Sequence, residues 1–358
     1  MTIVPDCDIL KKNENRIFAV RRTSVESVFL CGKPAKFRSV YGDELISELE
    51  KTAGASPEIF TSGSLASAPE GTFAGVKRIF STWGMPALTD EEIGRYFPSL
   101  ECVYYAAGTV QAFARPFLER GVRVFSAWAA NAVPVAEYTV SQILLANKGF
   151  FRACRTTYGG GRAEAKKIFS AYPGNYSVMV GIIGVGMIGS MVAEALKRYD
   201  VSVIGFDPFL SDEKAARLGV EKVGLPELFS RSNVVTNHLA NNPRTVGMLT
   251  GELFELMPPY ATFINTGRGA QVDEAGLIRV LTERQDLTAV LDVTMPEPPA
   301  PDSPFYTLKN CFLTPHIAGS SGNEVRRMAE YMLAEYRRVE NGEAPLYEVN
   351  LKMLETMA

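Results

Sequence analysis

The chain has 358 residues, 46% of them hydrophobic and 22% charged, the composition of an ordinary globular protein of about two domains. Its 37 Lys and Arg nearly balance 40 Asp and Glu, and no long basic run interrupts the sequence, so the electrostatic footprint of a nucleic-acid binder is absent. No apolar stretch reaches transmembrane length, and the opening MTIVPDCDILKKNENR lacks the charged-then-apolar order of a signal peptide. No membrane partner is therefore expected, and the cytoplasm is the expected compartment. Cys7, Cys31, Cys102, Cys154 and Cys311 show no CxxC spacing, which points away from a zinc site or a disulfide framework.

Strand-like and helix-like segments alternate, the pattern of an α/β protein with parallel sheets. In the first third the predicted strands are Ile17–Val20, Glu58–Phe60, Val76–Ser81, Cys102–Ala106 and Val122–Ser126; the predicted helices are Gly42–Lys51, Asp90–Phe97 and Phe113–Glu119. CGKPAK (Cys31–Lys36) reads as a turn joining two short strands. VAEYTVSQILLAN (Val135–Asn147) is an apolar-periodic helix suited to bridge two domains. Arg155–Tyr176, with its glycine triplet Gly159–Gly161 and no preceding strand, reads as a flexible surface connection. Regular alternation then resumes, and Gly322–Glu340 closes it as an amphipathic helix.

The densest signal lies at VMVGIIGVGMIGS. A β-branched-rich run, Val178–Ile183, predicts a strand buried on both faces; Gly184, Gly186 and Gly189 follow it, and Met191–Arg198 continues as a helix. A second buried strand, VSVIGFD, ends in Asp207 about twenty residues further on, the spacing of a ribose-binding acid in a dinucleotide fold. The three glycines then divide the work. Gly184 makes the tight turn, Gly186 permits the close approach of backbone N–H groups to a pyrophosphate, and Gly189 lets helix pack on strand. No Arg or Lys follows Asp207 until Lys214, which favours NAD over its 2′-phosphorylated relative.

Three further segments place chemistry at predicted strand ends, where open α/β sheets bind ligands. FINTGRGAQVDE sets Arg268 between two glycines, free to reach a carboxylate in the bidentate manner of a guanidinium. AVLDVTMPEP holds Asp292 and Glu297, and FLTPHIAGSS holds His316, one of two histidines in the chain. A carboxylate paired with an imidazole orients it and favours its proton-donating form, and a neighbouring Arg polarises a carbonyl; together they suit a hydride-transfer site.

In their order and approximate spacing, the GVGMIG, NTGRGAQVDE, LDVTMPEP and TPHIAG segments resemble the D-isomer-specific 2-hydroxyacid dehydrogenases, from about Thr82 to the final helix. The resemblance implies two doubly wound domains, Rossmann-like and flavodoxin-like, with a cleft between them. The substrate domain would comprise residues 1–130 and 319–358, and the NAD-binding domain residues 131–318. It implies that Arg268 holds the substrate's carboxylate and carbonyl, that His316 is the acid/base and that Glu297 pairs with it. On the cofactor side it implies Gly184, Gly186, Gly189, the amides of Met187 and Ile188, Asp207, His238, Thr266, Arg268 and Asp292, with Asp292 on the nicotinamide carboxamide. For His238 a structural role competes evenly with direct contact.

On the substrate side the resemblance implies Trp83 and an anion-cradling loop of Ala107, Gly108 and Thr109, with a hinge at Asn131 and Val135–Glu137. The implied partner is a second copy of the chain, in a homodimer. The chain departs from the family at Ala106, at Phe113 and at Ser126–Trp128. The loops STWGMPAL, YYAAGTVQAF and SAWAANAV contain no charge and both tryptophans, which predicts uncharged 2-keto acids as better substrates than phosphohydroxypyruvate. The alternatives left open are a phosphoglycerate dehydrogenase and an NAD(H)-sensing binding protein on the same fold.

Overall fold

The computed structural model describes residues 25–355. The predicted strand Ile17–Val20 and Cys7 lie outside them. Two sheets organise the described chain. The first has six strands in the order β13-β5-β4-β3-β1-β2: β1 Ser27–Leu30, β2 Ala55–Phe60, β3 Arg78–Ser81, β4 Cys102–Tyr105, β5 Arg123–Ser126 and β13 Glu348–Val349. All pair in parallel except β13, which runs antiparallel along β5. The second has seven parallel strands in the order β12-β11-β10-β9-β6-β7-β8: β6 Tyr176–Ile183, β7 Asp200–Phe206, β8 Val220–Lys222, β9 Val234–Asn237, β10 Thr262–Asn265, β11 Thr288–Leu291 and β12 Cys311–Leu313. In both, strand order reverses at one point, between β1 and β3 and between β6 and β9. Doubly wound folds open a ligand crevice at such a point.

β1 is a central strand that the sequence pattern hides. SVFL is four residues long and buried throughout, so it has neither alternation nor length to mark it. CGKPAK is consequently not a hairpin turn: Pro34 starts a helix that runs to Thr52, with Lys33 at its cap and a break at Gly42, where φ is +63°. Arg155–Tyr176 is not a flexible connection either. Helices Phe150–Tyr158 and Arg162–Ser170 flank the glycine triplet. Of their residues only Ala165 is buried, while Phe151 packs against Phe312, and the glycine triplet between the two helices interrupts any long periodic window.

The core of the first sheet is aromatic. Phe80, Tyr104 and Phe125 on adjacent strands stack face to face at 5.0 and 4.9 Å, and Tyr336 meets both Phe80 and Tyr104 edge-on. Tyr336 belongs to the helix Val325–Glu340, which also buries Met328 and Met332 in the same core. Each such fully buried side chain contributes about 1.5–3 kcal/mol. That packing returns the chain's last segment to the first sheet, where Val349 pairs with Val124. Among the described residues no helix is long and apolar enough to cross a membrane.

The helix Trp128–Ala146 leaves β5 and runs to the second sheet, burying Ile143 and Ala146 in a cluster with Val180, Ile182 and Val192. It starts earlier than the periodic stretch suggests, because Trp128 and Ala129 already stand in its first turn.

Candidate functional site

Register puts the predicted residues in a row. Ile183, Asn237, Asn265, Leu291 and Leu313 are in register across β6, β9, β10, β11 and β12. One residue further, at the carboxyl edge, stand Gly184, His238, Thr266, Asp292 and Thr314, and the ladder continues through them: His238 N–H donates to Ile183 O at 2.7 Å, Asp292 N–H to Asn265 O at 3.0 Å and Thr314 N–H to Leu291 O at 3.0 Å.

At the glycine turn, Gly184 has φ +82°, and a Cβ there would lie 2.8 Å from the His238 backbone. A Cβ on Gly189 would lie 2.1 Å from Gly184 O, so helix Met187–Leu196 can approach the strand only with glycine there. Gly186 differs: a Cβ there would meet nothing within 4 Å. That open space, in front of a helix N-terminus with no side-chain cap, fits a pyrophosphate. The Asp207 carboxylate accepts Val185 N–H at 2.9 Å and Phe209 N–H at 2.8 Å, which ties the end of β7 to the turn and leaves lone pairs for ribose hydroxyls. Lys214, distant in sequence, folds back: its Nζ donates to Val185 O at 2.7 Å, so a cation does stand at this turn.

His238 and Thr266 form a relay. The His238 ring bonds Thr236 Oγ1 through Nε2 at 3.1 Å and Thr266 Oγ1 through Nδ1 at 3.3 Å, and Thr266 in turn meets Thr139 Oγ1 of the connecting helix at 3.3 Å. Desolvation pushes the imidazole down to about 3, so it is neutral. Both ring nitrogens of His238 thus have hydroxyl partners within the protein, and the Thr266 hydroxyl lies between His238 and Thr139.

His316 Nδ1 and Glu297 Oε1 are 2.7 Å apart, at half-exposed positions on neighbouring loops. His316 has φ +54°, the left-handed region that a non-glycine residue adopts only under constraint. Asp292 supplies that constraint. Its carboxylate, almost wholly buried, accepts Thr314 Oγ1–H at 2.6 Å, Ile317 N–H at 2.8 Å and Ala318 N–H at 2.9 Å, while its carbonyl accepts His316 N–H at 3.0 Å. Asp292 thus grips both sides of the histidine turn and still has a lone pair on Oδ2. Glu274 acts similarly on the other partner: it accepts Met295 N–H at 2.7 Å in the loop that carries Glu297, and burial pushes its carboxyl up.

Arg268 stands on the β10 loop within electrostatic reach of Glu297; burial pulls its guanidinium below the ordinary value, and Glu297 opposes that pull. The flanking glycines do not give it freedom. A Cβ on Gly269 would lie 2.0 Å from Thr294 C and one on Gly267 2.7 Å from Gln271 Oε1, so both are demanded by close packing.

On the first sheet, the carbonyls of the anion loop are held from behind. Thr82 Oγ1 donates to Ala106 O at 2.7 Å, and Ser126 Oγ to Ala107 O at 2.9 Å and Gly108 O at 2.5 Å. Ala107 N–H donates to Tyr105 O at 2.9 Å. Among the described residues, the amides of Gly108 and Thr109 have no protein acceptor, and the cradle narrows to these two. Asn131 lies behind Gly108 and accepts Ser320 N–H at 3.0 Å, linking this loop to the segment after His316.

The tryptophans separate. Trp128 packs edge-on against Tyr347 at 5.9 Å, a core contact. Trp83 is joined to the β1 turn, where Cys31 Sγ lies 3.3 Å from Trp83 O and Gly32 N–H donates to Gly84 O at 2.7 Å, and Lys36 Nζ stands 4.5 Å over its ring. The three loops are themselves uncharged; the cation comes from outside them, on the helix that starts at Pro34.

Residues 141–318 match the model of the NAD-binding domain of the D-isomer specific 2-hydroxyacid dehydrogenases. YoaD of Bacillus subtilis (strain 168), named as a 2-hydroxyacid dehydrogenase, is 30% identical over 79% of this chain and 76% of its own length. The chain belongs to the D-isomer specific 2-hydroxyacid dehydrogenase family. Within it, the D-3-phosphoglycerate dehydrogenases of Archaeoglobus fulgidus and Methanocaldococcus jannaschii are each 34% identical over 57% and 65% of this chain. The chain spans only 38% and 44% of their lengths. The apo D-mandelate dehydrogenase of Rhodotorula graminis shares the fold, with a TM-score of 0.75 and 21% identity over 90% of this chain and 97% of that one. The Rossmann-type sheet with its glycine turn is the family's NAD-binding domain.

Proposed function

We propose that this dehydrogenase family member interconverts a 2-keto acid and the D-(R)-2-hydroxy acid with NAD. The observation that supports the reading most is the His316–Glu297 pair, held by Asp292 in a left-handed turn beside Arg268. When bound, the nicotinamide supplies the hydride that reaches the carbonyl carbon. Gly186, Met187, Ile188 and Asp207 would hold the dinucleotide, and the spare lone pair of Asp292 would take its carboxamide. The guanidinium of Arg268 binds the substrate carboxylate and polarises its carbonyl, while Gly108 and Thr109 amides receive the same carboxylate from the opposite sheet. His316, fixed by Glu297 through Nδ1, gives its Nε2 proton to the carbonyl oxygen as the hydride arrives; in the reverse direction it takes that proton back.

The division that fits this work is a substrate domain of residues 1–130 and 319–358 closing on a nucleotide domain of 131–318. A homodimer in the cytoplasm is the assembly and place proposed for it. Steady NADH consumption with a panel of 2-keto acids tests the reading. Tight NADH binding without turnover on any of them would replace it by a sensor.

A second reading has its own support. Lys36 over Trp83 offers a cation to a substrate with a second anionic group, and the relatives named D-3-phosphoglycerate dehydrogenase point the same way. Ranking phosphohydroxypyruvate against glyoxylate and pyruvate by kcat/KM separates the two classes.

A further inference from the structure

Behind Arg268 lies a cluster of three side-chain amides, Asn237, Asn265 and Gln271, each essentially inaccessible to solvent. Asn237 Nδ2 donates to Asn265 Oδ1 at 3.0 Å and to Gln271 Oε1 at 2.6 Å, and Asn237 Oδ1 accepts Leu239 N–H at 3.2 Å. Gln271 Nε2 donates to Leu239 O at 2.7 Å. The remaining contacts fall on two adjacent residues: Gln271 Oε1 accepts Arg268 N–H at 3.1 Å, Asn265 Nδ2 donates to Arg268 O at 3.2 Å, and Asn265 Oδ1 accepts Gly267 N–H at 3.0 Å. Both backbone polar groups of Arg268 thus have side-chain partners, and its carbonyl also accepts Gln271 N–H at 3.4 Å in the short turn that follows. The guanidinium then folds onto the same segment, with Nη1 donating to Gly267 O at 2.7 Å.

Three buried amides are an expensive way to fill a core, because each must find partners for all its donors and acceptors. Asn237 and Gln271 meet that demand by bonding to backbone, at Leu239 N–H, Leu239 O and Arg268 N–H. We propose that Asn237 and Gln271 are positioning residues that set the reach of Arg268 toward the substrate carboxylate; this rests on the role given to Arg268 above. The arrangement has a geometric reason. Arg268 follows β10 on an irregular loop with no ladder to orient it, and a misplacement of about 1 Å at such a site costs on the order of a hundredfold in rate. The amide pair replaces the missing ladder. Neither side chain bonds to the glycine turn itself; their link to it runs through the Leu239 backbone, whereas both bond directly to Arg268 or its neighbours, so the effect should fall on substrate more than on NADH.

The test is the double variant Asn237→Leu/Gln271→Leu beside the two single variants. Each substitution strands backbone groups that the amides satisfy, Leu239 N–H for Asn237 and Leu239 O with Arg268 N–H for Gln271, so each should lower the melting temperature, and the double variant most. Assayed below its melting temperature, the folded double variant should bind NADH, followed by fluorescence, within about twofold of the parent. Its kcat/KM for the parent's best 2-keto acid should fall about ten- to a hundredfold, mainly through KM. A folded double variant that keeps kcat/KM would overturn the proposal, as would one whose NADH affinity falls in parallel. Should the double variant not fold, hydrogen exchange on the parent decides: the Arg268 amide should exchange at least about a thousandfold slower than an exposed loop amide, and fast exchange overturns the proposal. A parent that turns over no 2-keto acid would sink the function above, while leaving the exchange result to stand for the geometry alone.

Discussion

The carboxyl edges of the two sheets face the same chemistry with different materials. On the seven-stranded sheet the edge is built from side chains: imidazole, carboxylates, guanidinium and hydroxyls, nearly all partnered to one another. On the six-stranded sheet the corresponding edge offers backbone. Thr82 and Ser126 pull the loop's carbonyls inward, and the amides of Gly108 and Thr109 are left as donors. Reaction is a matter of placing a few acids and bases within tenths of an ångström, which interlocked side chains achieve. Recognition of a carboxylate needs only directed N–H groups, and a loop over a rigid aromatic core supplies them.

That contrast breaks first at His316. Replacing it by Asn should lower turnover by at least about a hundredfold, while NADH affinity measured by fluorescence stays within about twofold. Near-parental turnover would move the acid/base role elsewhere on the edge. The Arg268→Lys variant keeps the charge and loses the planar fork; kcat/KM should fall about tenfold to a hundredfold, with most of the loss in KM. A smaller effect is expected across the cleft. Lys36→Gln should lower kcat/KM for phosphohydroxypyruvate about threefold to fivefold and leave pyruvate unchanged, and equal effects on both would assign Lys36 to packing on Trp83.

The least of these changes concerns stability. His238 is neutral in the fold with its value pushed down to about 3, whereas the unfolded chain binds a proton near 6.5. Between these values the unfolded state holds more protons, so stability falls as pH drops from about 6.5, by at most about 1.4 kcal/mol per unit. His238→Gln should flatten that slope in melting temperatures measured from pH 7 to pH 5. An unchanged slope would place the acid sensitivity in other groups.

Much of this was legible in the chain itself. The glycine turn, Asp207 and the four motif segments announce themselves because local chemistry and spacing coincide, and register then lines them up. What escaped did so for physical reasons. β1 is too short and too thoroughly buried to show a period, and with it went the turn that carries Lys36 to Trp83. Helices Phe150–Tyr158 and Arg162–Ser170 are nine residues each on either side of the glycine triplet, so neither offers a long periodic window. The return of Lys214 to the glycine turn and the amide cluster behind Arg268 are contacts across many residues that no spacing encodes.

The helix Trp128–Ala146 bears on both edges. Asn131 in its first turns holds Ser320 N–H, and two turns later Tyr138 Oη meets Thr314 Oγ1 at 3.1 Å and Thr139 meets Thr266. Residues seven and eight apart share a helix face, about 11 Å along the axis. Through these three contacts one helix ties the loop behind Gly108 to the edge that carries Thr266 and the turn before His316.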